Sequence, residues 1–255
     1  MIYIWIKRGW NEKISKFFGG NFFMHKYCKS YWILGAFISC MSITFAMEVN
    51  KDLNSKHSTG NLRKISLCPE IPPPCIDGKI NQNEWKRALH LIGFTTNKGG
   101  VPKEKTEVFL GHDAKKLYFA FVCYDSCIEK IKKDAKTNNA TEIWNDDCIE
   151  IFIEPKRNSQ NYYQFALTPS GIKGCIYNLN GHPKNYLNND RWTGKINRDS
   201  KSWSAEIAIP FDTFQKQPKR GEAWGMNFCR AQPMIKNFCS WSPLIGSFKQ
   251  PEKSK

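Results

Sequence analysis

Cys148-Ile-Glu-Ile-Phe-Ile-Glu154 puts Ile149, Ile151 and Ile153 on one side of an extended chain and Cys148, Glu150, Phe152 and Glu154 on the other. Neighbouring side chains of a strand point to opposite faces, so a period of two marks a strand with one core-facing side. The other side holds two carboxylates and a ring, which predicts a face turned to water or to a ligand. Trp203-Ser-Ala-Glu-Ile-Ala-Ile209 repeats the pattern, with Ala205, Ile207 and Ile209 set against Ser204, Glu206 and Ala208.

Working outward from these two strands, similar short runs lie at 106–110, 117–124, 162–168, 172–178, 192–196 and 223–230. Turn residues separate them, as in Thr168-Pro-Ser-Gly171, Asn197-Arg-Asp-Ser200 and Pro218-Lys-Arg-Gly221. Helical material is confined to 83–88 and 211–215. About eight or more short strands at this spacing predict an all-β fold, an antiparallel β-sandwich or jelly roll.

The 255 residues suit one such domain with appendages, and 41% hydrophobic content is enough to build a core. Residues 1–46 read as a secretory leader: Lys26 and Lys29 precede the apolar run Tyr31–Ala46, and Thr44-Phe-Ala46 offers a cleavage position. That run is shorter than the roughly 20 residues a membrane span needs, so no span is expected after processing. Phe37-Ile-Ser-Cys40 is an imperfect lipobox that would anchor the protein by lipid on Cys40, and a retained N-terminal anchor is the other alternative. Residues 47–74 are polar and end in Pro72-Pro-Pro74, which predicts a linker ahead of a domain over 75–255.

Beyond the leader stand eight cysteines, at 68, 75, 123, 127, 148, 175, 229 and 239. An even number in an exported chain favours disulfides. Cys123-x3-Cys127 has zinc-like spacing but no downstream pair to complete a tetrahedral set.

Six segments, in their order, resemble the family 9 carbohydrate-binding modules, β-sandwich domains appended to xylanases and other polysaccharide-degrading proteins. Ile76-Asp-Gly-Lys-Ile-Asn81 with Trp85 is similar to the family's opening motif, and Val108 to Asp113 with Leu117-Tyr118 to its first hairpin. Trp144-Asn-Asp-Asp147-Cys-Ile-Glu150-Ile-Phe-Ile153 is the most specific match. Glu206-Ile-Ala-Ile-Pro210, Gly221 to Arg230 and Ser240-Trp241-Ser242 complete the series, which covers about residues 71–252.

The resemblance implies non-catalytic binding of a polysaccharide or oligosaccharide end by an extracytoplasmic protein. A sugar needs a flat apolar surface for its C–H groups and charged acceptors for its hydroxyls. Trp144 would be one wall of an aromatic sandwich and Glu150 a hydroxyl acceptor, with Asp147 helping to satisfy hydroxyls or order the loop. The second wall would come from the loop Leu244-Ile-Gly-Ser-Phe248, where Phe248 replaces the usual tryptophan; Trp241 is the other candidate. Ala166 stands where sugar-binding relatives carry a basic side chain. Relatives also end in a closing strand, so the stop at Lys255 reads as a shortened C-terminal strand. Calcium is the expected ion, with Asp125 and Asp147 as its ligands by resemblance and Asp146 facing solvent.

Other functions fit less well. A glycosidase needs two carboxyls about 5–9.5 Å apart, whereas Glu150 and Glu154 on one strand face lie about 13 Å apart. A cross-strand pair with Glu206 or Asp190 is the arrangement left open. A haem-binding or purely protein-interaction sandwich is the alternative reading; Met226 and Met234 would be the haem ligands to examine. The net charge of +15 suggests nucleic acid, but the basic residues sit in polar turns such as 130–136 and 216–220, without interleaved aromatics.

Overall fold

The computed structural model describes residues 2–6, 64–158, 161–179, 182–186 and 188–242. Among these, fourteen strands form two sheets. The larger sheet runs, edge to edge, through β10 (His182–Tyr186), β9 (Lys173–Leu179), β8 (Tyr162–Leu167), β7 (Cys148–Glu154), β13 (Ala223–Gln232), β1 (Ile2–Ile6) and β2 (Lys64–Cys68). β14 (Asn237–Ser240) pairs with β13 beyond β1 and with β4 (Thr95–Thr96). The smaller sheet is ordered β11 (Thr193–Arg198), β12 (Ser202–Pro210), β6 (Lys116–Tyr124), β5 (Thr106–His112), β3 (Leu89–Leu91). All eight strands expected from alternation are present, and 211–215 becomes a short 3-10 turn, Phe211–Phe214.

The core lies between the sheets. Ile149, Ile151 and Ile153 meet Leu110, Phe119, Phe121, Ala205 and Ile207, all at most 1% exposed. Phe228 packs its ring 5.9 Å from Phe119 and 6.0 Å from Phe121, and Trp224 stands edge-on to Phe211 and Phe214. Each such side chain removed from water contributes about 1.5–3 kcal/mol before entropy is counted.

A second, smaller core covers the outside of β12 and β6. Trp85, Ile71, Tyr118, Ala120 and Ala208 gather there under the one-turn helix Gln82–Trp85, whose first turn is capped by the Asn81 side chain. Gly78 is obligatory in this segment: its φ is +92°, and an added Cβ would lie 2.5 Å from the Ile196 carbonyl carbon.

Two expectations about organisation change. Residues 64–74 belong to the sandwich: β2 is a strand, Ile71 N donates to His112 O at 2.9 Å, and the Ile71 side chain fills the space above Gly111. Polar neighbours had masked these few apolar positions. Of the expected leader, Ile2–Ile6 forms β1, parallel to β13 (Tyr3↔Ala223, Trp5↔Gly225) and antiparallel to β2. The apolar run, Cys40 and the cleavage position after Ala46 lie outside the described residues. No helix among the described residues is long and apolar enough to cross a membrane.

The expected disulfides are absent among the described residues, where all eight cysteines are free. Cys68, Cys123, Cys148, Cys175, Cys229 and Cys239 are fully buried and serve as small apolar filler. Burial pushes the Cys68 and Cys123 thiols up to about 12 and raises Cys148 and Cys229 well above the usual thiol range.

Candidate functional site

The outer face of the larger sheet carries two of the residues singled out by the sequence, Glu150 and Trp144. Glu150 on β7 pairs across the ladder with Ala166 on β8, which pairs in turn with Gly174 on β9. A row of one carboxylate and two very small residues results. The 3-10 turn Thr141–Asn145 lays Trp144 over the small end of this row, with its Cζ2 3.6 Å from where a Cβ on Gly174 would stand. Two strand spacings, about 10 Å, separate the strand of Glu150 from that of Gly174. Trp144 is half-buried, and its enclosed Nε1 has no hydrogen-bond acceptor.

Of the two alternatives expected for this face, water or a ligand, open exposure to water does not hold. Cys148, Glu150, Phe152 and Glu154 are each at most 8% exposed. Glu150 Oε2 accepts from Gln164 Nε2 at 2.6 Å, while burial pushes its carboxyl up to about 7. The missing basic group at Ala166 has a structural counterpart, because Ala166 joins Ala135 and Ile143 in a compact apolar cluster that Trp144 borders. A long cationic side chain rooted there would have to displace Ile143.

The acidic loop before β7 organises backbone. Asp146, expected at the surface, is fully buried and accepts from Asp134 N, Ala135 N and Lys132 Nζ at 2.9, 2.8 and 3.3 Å. Asp147 Oδ2 accepts from Lys132 N at 3.0 Å, and burial pushes its carboxyl up to about 6 against the pull of Arg230. Asp125 is committed on both oxygens: Oδ1 accepts from Cys127 N, and Oδ2 from Arg230 Nη2 at 3.2 Å and Gln232 Nε2 at 3.0 Å.

These residues do not fit the expected calcium ion, which takes six to eight oxygens. The buried Arg230 guanidinium supplies the positive charge at Asp125, and it also donates to Tyr124 O and Lys105 O. Among the described residues, no three His, Cys, Asp or Glu side chains converge as a metal site would require.

The remaining candidates separate. Trp241 is a core residue, 8% exposed, with its ring 5.9 Å from that of Phe228. Phe248 lies outside the described residues. Glu206 faces out from the smaller sheet, on the opposite side of the sandwich from Glu150, and is closed off by Trp85 Nε1, Asp77 N and Gly78 N. It therefore cannot partner Glu150 as a hydrolytic pair. Of the loop lysines, Lys132 pairs with Asp134 and Asp146, and Lys216 with Glu222. Asn227, part of the resembling segment Gly221 to Arg230 but given no role there, bonds twice to the backbone of Ser242.

The architecture agrees with comparisons to known proteins. A curated relative from Arthroderma benhamiae, named only as an extracellular protein, is 22% identical over 168 residues, 60% of this chain and 74% of the relative. A family 9 carbohydrate-binding module from Caldicellulosiruptor kristjanssonii, solved with cellotriose, superposes with a TM-score of 0.50 at 15% identity, covering 68% of this chain and 81% of the module. A candidate carbohydrate-binding protein from Bacteroides uniformis gives 0.51 at 17% identity, covering 63% and 81%. Both likenesses are of fold. The model of the carbohydrate family 9 binding domain-like family matches residues 76–237, most of the described sandwich, and the chain belongs to that family.

Proposed function

We propose that this domain binds the end of a β-linked glucan or a related polysaccharide outside the cytoplasm, without cleaving it. The observation that carries this reading is the row Glu150–Ala166–Gly174 with the Trp144 ring above its small end. The ring offers an apolar surface for pyranose C–H groups, and Glu150, once ionised above about pH 7, accepts hydroxyls in charge-assisted bonds. By resemblance, Phe248, which lies outside the described residues, would supply the second wall. Glu206 closes on the opening segment on the opposite outer face from Glu150, and the reading leaves hydrolysis to a separate protein or domain. The family membership, the module bound to cellotriose and the extracellular relative support this reading.

Titration calorimetry with cellotriose and a pull-down on insoluble cellulose test it, with wild type beside Trp144→Ala. Saturable binding that falls at least tenfold in the variant is expected. Absence of wild-type binding to a panel of plant and fungal glycans, or unchanged affinity in Trp144→Ala, overturns it.

A further inference from the structure

The outer face of the larger sheet is closed over β7 and β13 and opens at β8, where Tyr162 and Gln164 are half-buried while Phe152 and Asn227 are at most 8% exposed. Tyr163, Phe165 and Leu167 point into the core, so Tyr162, Gln164 and Ala166 line the outer side of β8. On β9, Cys175 belongs to the core and Tyr177 packs against it, which leaves Gly174, Ile176 and Asn178 on the outer side. These residues pair across the ladder as Ala166↔Gly174, Gln164↔Ile176 and Tyr162↔Asn178. Trp144 covers the first pair. The third lies four residues further along β9, about 13 Å away at 3.3 Å per residue.

That third pair repeats the chemistry of the first, an aromatic ring beside a polar acceptor. The Tyr162 ring stands 5.9 Å from that of Phe152, tilted by 49°. Asn178 Nδ2 donates to the Tyr162 hydroxyl at 2.9 Å, and Asn178 is 7% exposed. Its Oδ1 is buried and has no donor among the described residues. The tyrosine hydroxyl can donate as well as accept, so turning the amide over changes only which of its ends is bare. Both ends of one amide lie close together, which puts the bare atom at the tip of the half-buried Tyr162 ring. A buried polar atom without a partner destabilises the empty protein, and a ligand hydroxyl that reaches it recovers that cost without stripping water from it. Gln164, between the two pairs, is held by Glu150 Oε2 at 2.6 Å.

We propose that Tyr162 and Asn178 form a second sugar subsite, which takes a further unit of the glycan chain held at Trp144. The ligand is then a linear oligosaccharide running along β8 and β9, and its length contributes to affinity as well as its end. The proposal rests on the carbohydrate-binding reading and adds a subsite to it.

Titration calorimetry on the full chain tests it, with cellobiose and cellotetraose measured against wild type, Asn178→Ala, Tyr162→Ala and Tyr162→Phe. The shorter sugar fills the Trp144 end alone, and the longer one also reaches Tyr162. Wild type should bind cellotetraose at least tenfold more tightly than cellobiose. In Asn178→Ala and Tyr162→Ala that ratio should fall to near unity. Tyr162→Phe keeps the ring and removes the hydroxyl, so its ratio should lie between, and it carries the test if the alanine variants do not fold. A variant that is only less stable weakens both sugars alike and keeps the wild-type ratio.

A wild-type ratio near unity overturns the subsite while leaving binding at Trp144 intact. A wild-type ratio that survives in every variant that folds does the same. Wild type that binds neither sugar overturns the subsite together with the β-glucan reading on which it rests.

Discussion

Trp85 Nε1 donates to Glu206 Oε1 at 2.8 Å, joining two side chains 121 residues apart on the outside of the smaller sheet. The second carboxylate oxygen accepts from Asp77 N and Gly78 N, both at 3.0 Å. One buried carboxylate therefore satisfies three donors of the opening segment and seats Trp85 in the small outer core. Burial raises the Glu206 carboxyl, and those three bonds oppose the rise.

Glu206→Gln turns one acceptor oxygen into a donor that faces either Trp85 Nε1 or the two backbone N–H groups. It should cost about 2–4 kcal/mol in urea unfolding, and Trp85→Phe about 1–2 kcal/mol. Sugar affinity of the folded fraction should stay within twofold in both, because the site row lies on the other sheet. A tenfold change in affinity would show that the two outer faces are coupled.

Glu150 predicts a pH dependence of stability and of binding. Its carboxyl ordinarily titrates near 4.5 and is pushed up to about 7 by burial. The folded state thus holds this proton more tightly than the unfolded chain. Stability falls as pH rises between those two values, by about 3 kcal/mol if the full shift is expressed. Asp147, raised from 3.8 to about 6, adds in the same direction at lower pH. Glu150→Gln should remove most of the slope between pH 5 and 7.5 in thermal unfolding. Sugar affinity should move the opposite way, rising through pH 7 in wild type as the acceptor ionises, and lying flat in the variant.

Arg230 neutralises Asp125 inside the protein at 3.2 Å. Arg230→Met leaves a buried carboxylate without its cation and should cost about 3–5 kcal/mol, of which Arg230→Met with Asp125→Leu recovers a part. With the guanidinium in the position of a cation, chelator or added calcium should not move the unfolding midpoint of wild type. A rise of several degrees with calcium would point to a cation site at these aspartates after all.

The free thiols should sort by burial. In folded protein, Cys127 and the exposed Cys75 should alkylate within minutes, and the six buried cysteines only on unfolding. Peptide mass spectrometry reads each position. Rapid labelling at Cys148 or Cys229 would mean that the outer face of β7 and β13 is open, and disulfide-linked peptides would contradict the free-thiol assignment.

Much of the sandwich was legible because alternation is a local property. Ile149, Ile151 and Ile153 announce a strand and its inner face without reference to anything distant, as do Ala205, Ile207 and Ile209. Strands with little alternation to show, such as Leu89–Leu91, Thr95–Thr96 and Asn237–Ser240, escaped because their pairing partners create them. Of the proposed site, Trp144 and Glu150 both stand in the motif Trp144 to Ile153.

The sequence by itself determined the sandwich and the inner faces of its main strands, and it singled out the ring and carboxylate proposed to meet a sugar. Only the tertiary structure decided what the other polar residues do. Asp125 meets a guanidinium from β13, Glu206 closes on the opening segment, Trp241 turns into the core and Asn227 takes hold of Ser242. Each of these is settled by which distant donor or ring arrives at a given place. A buried carboxylate or amide must find a partner there, and no local pattern of residues records which one it will be.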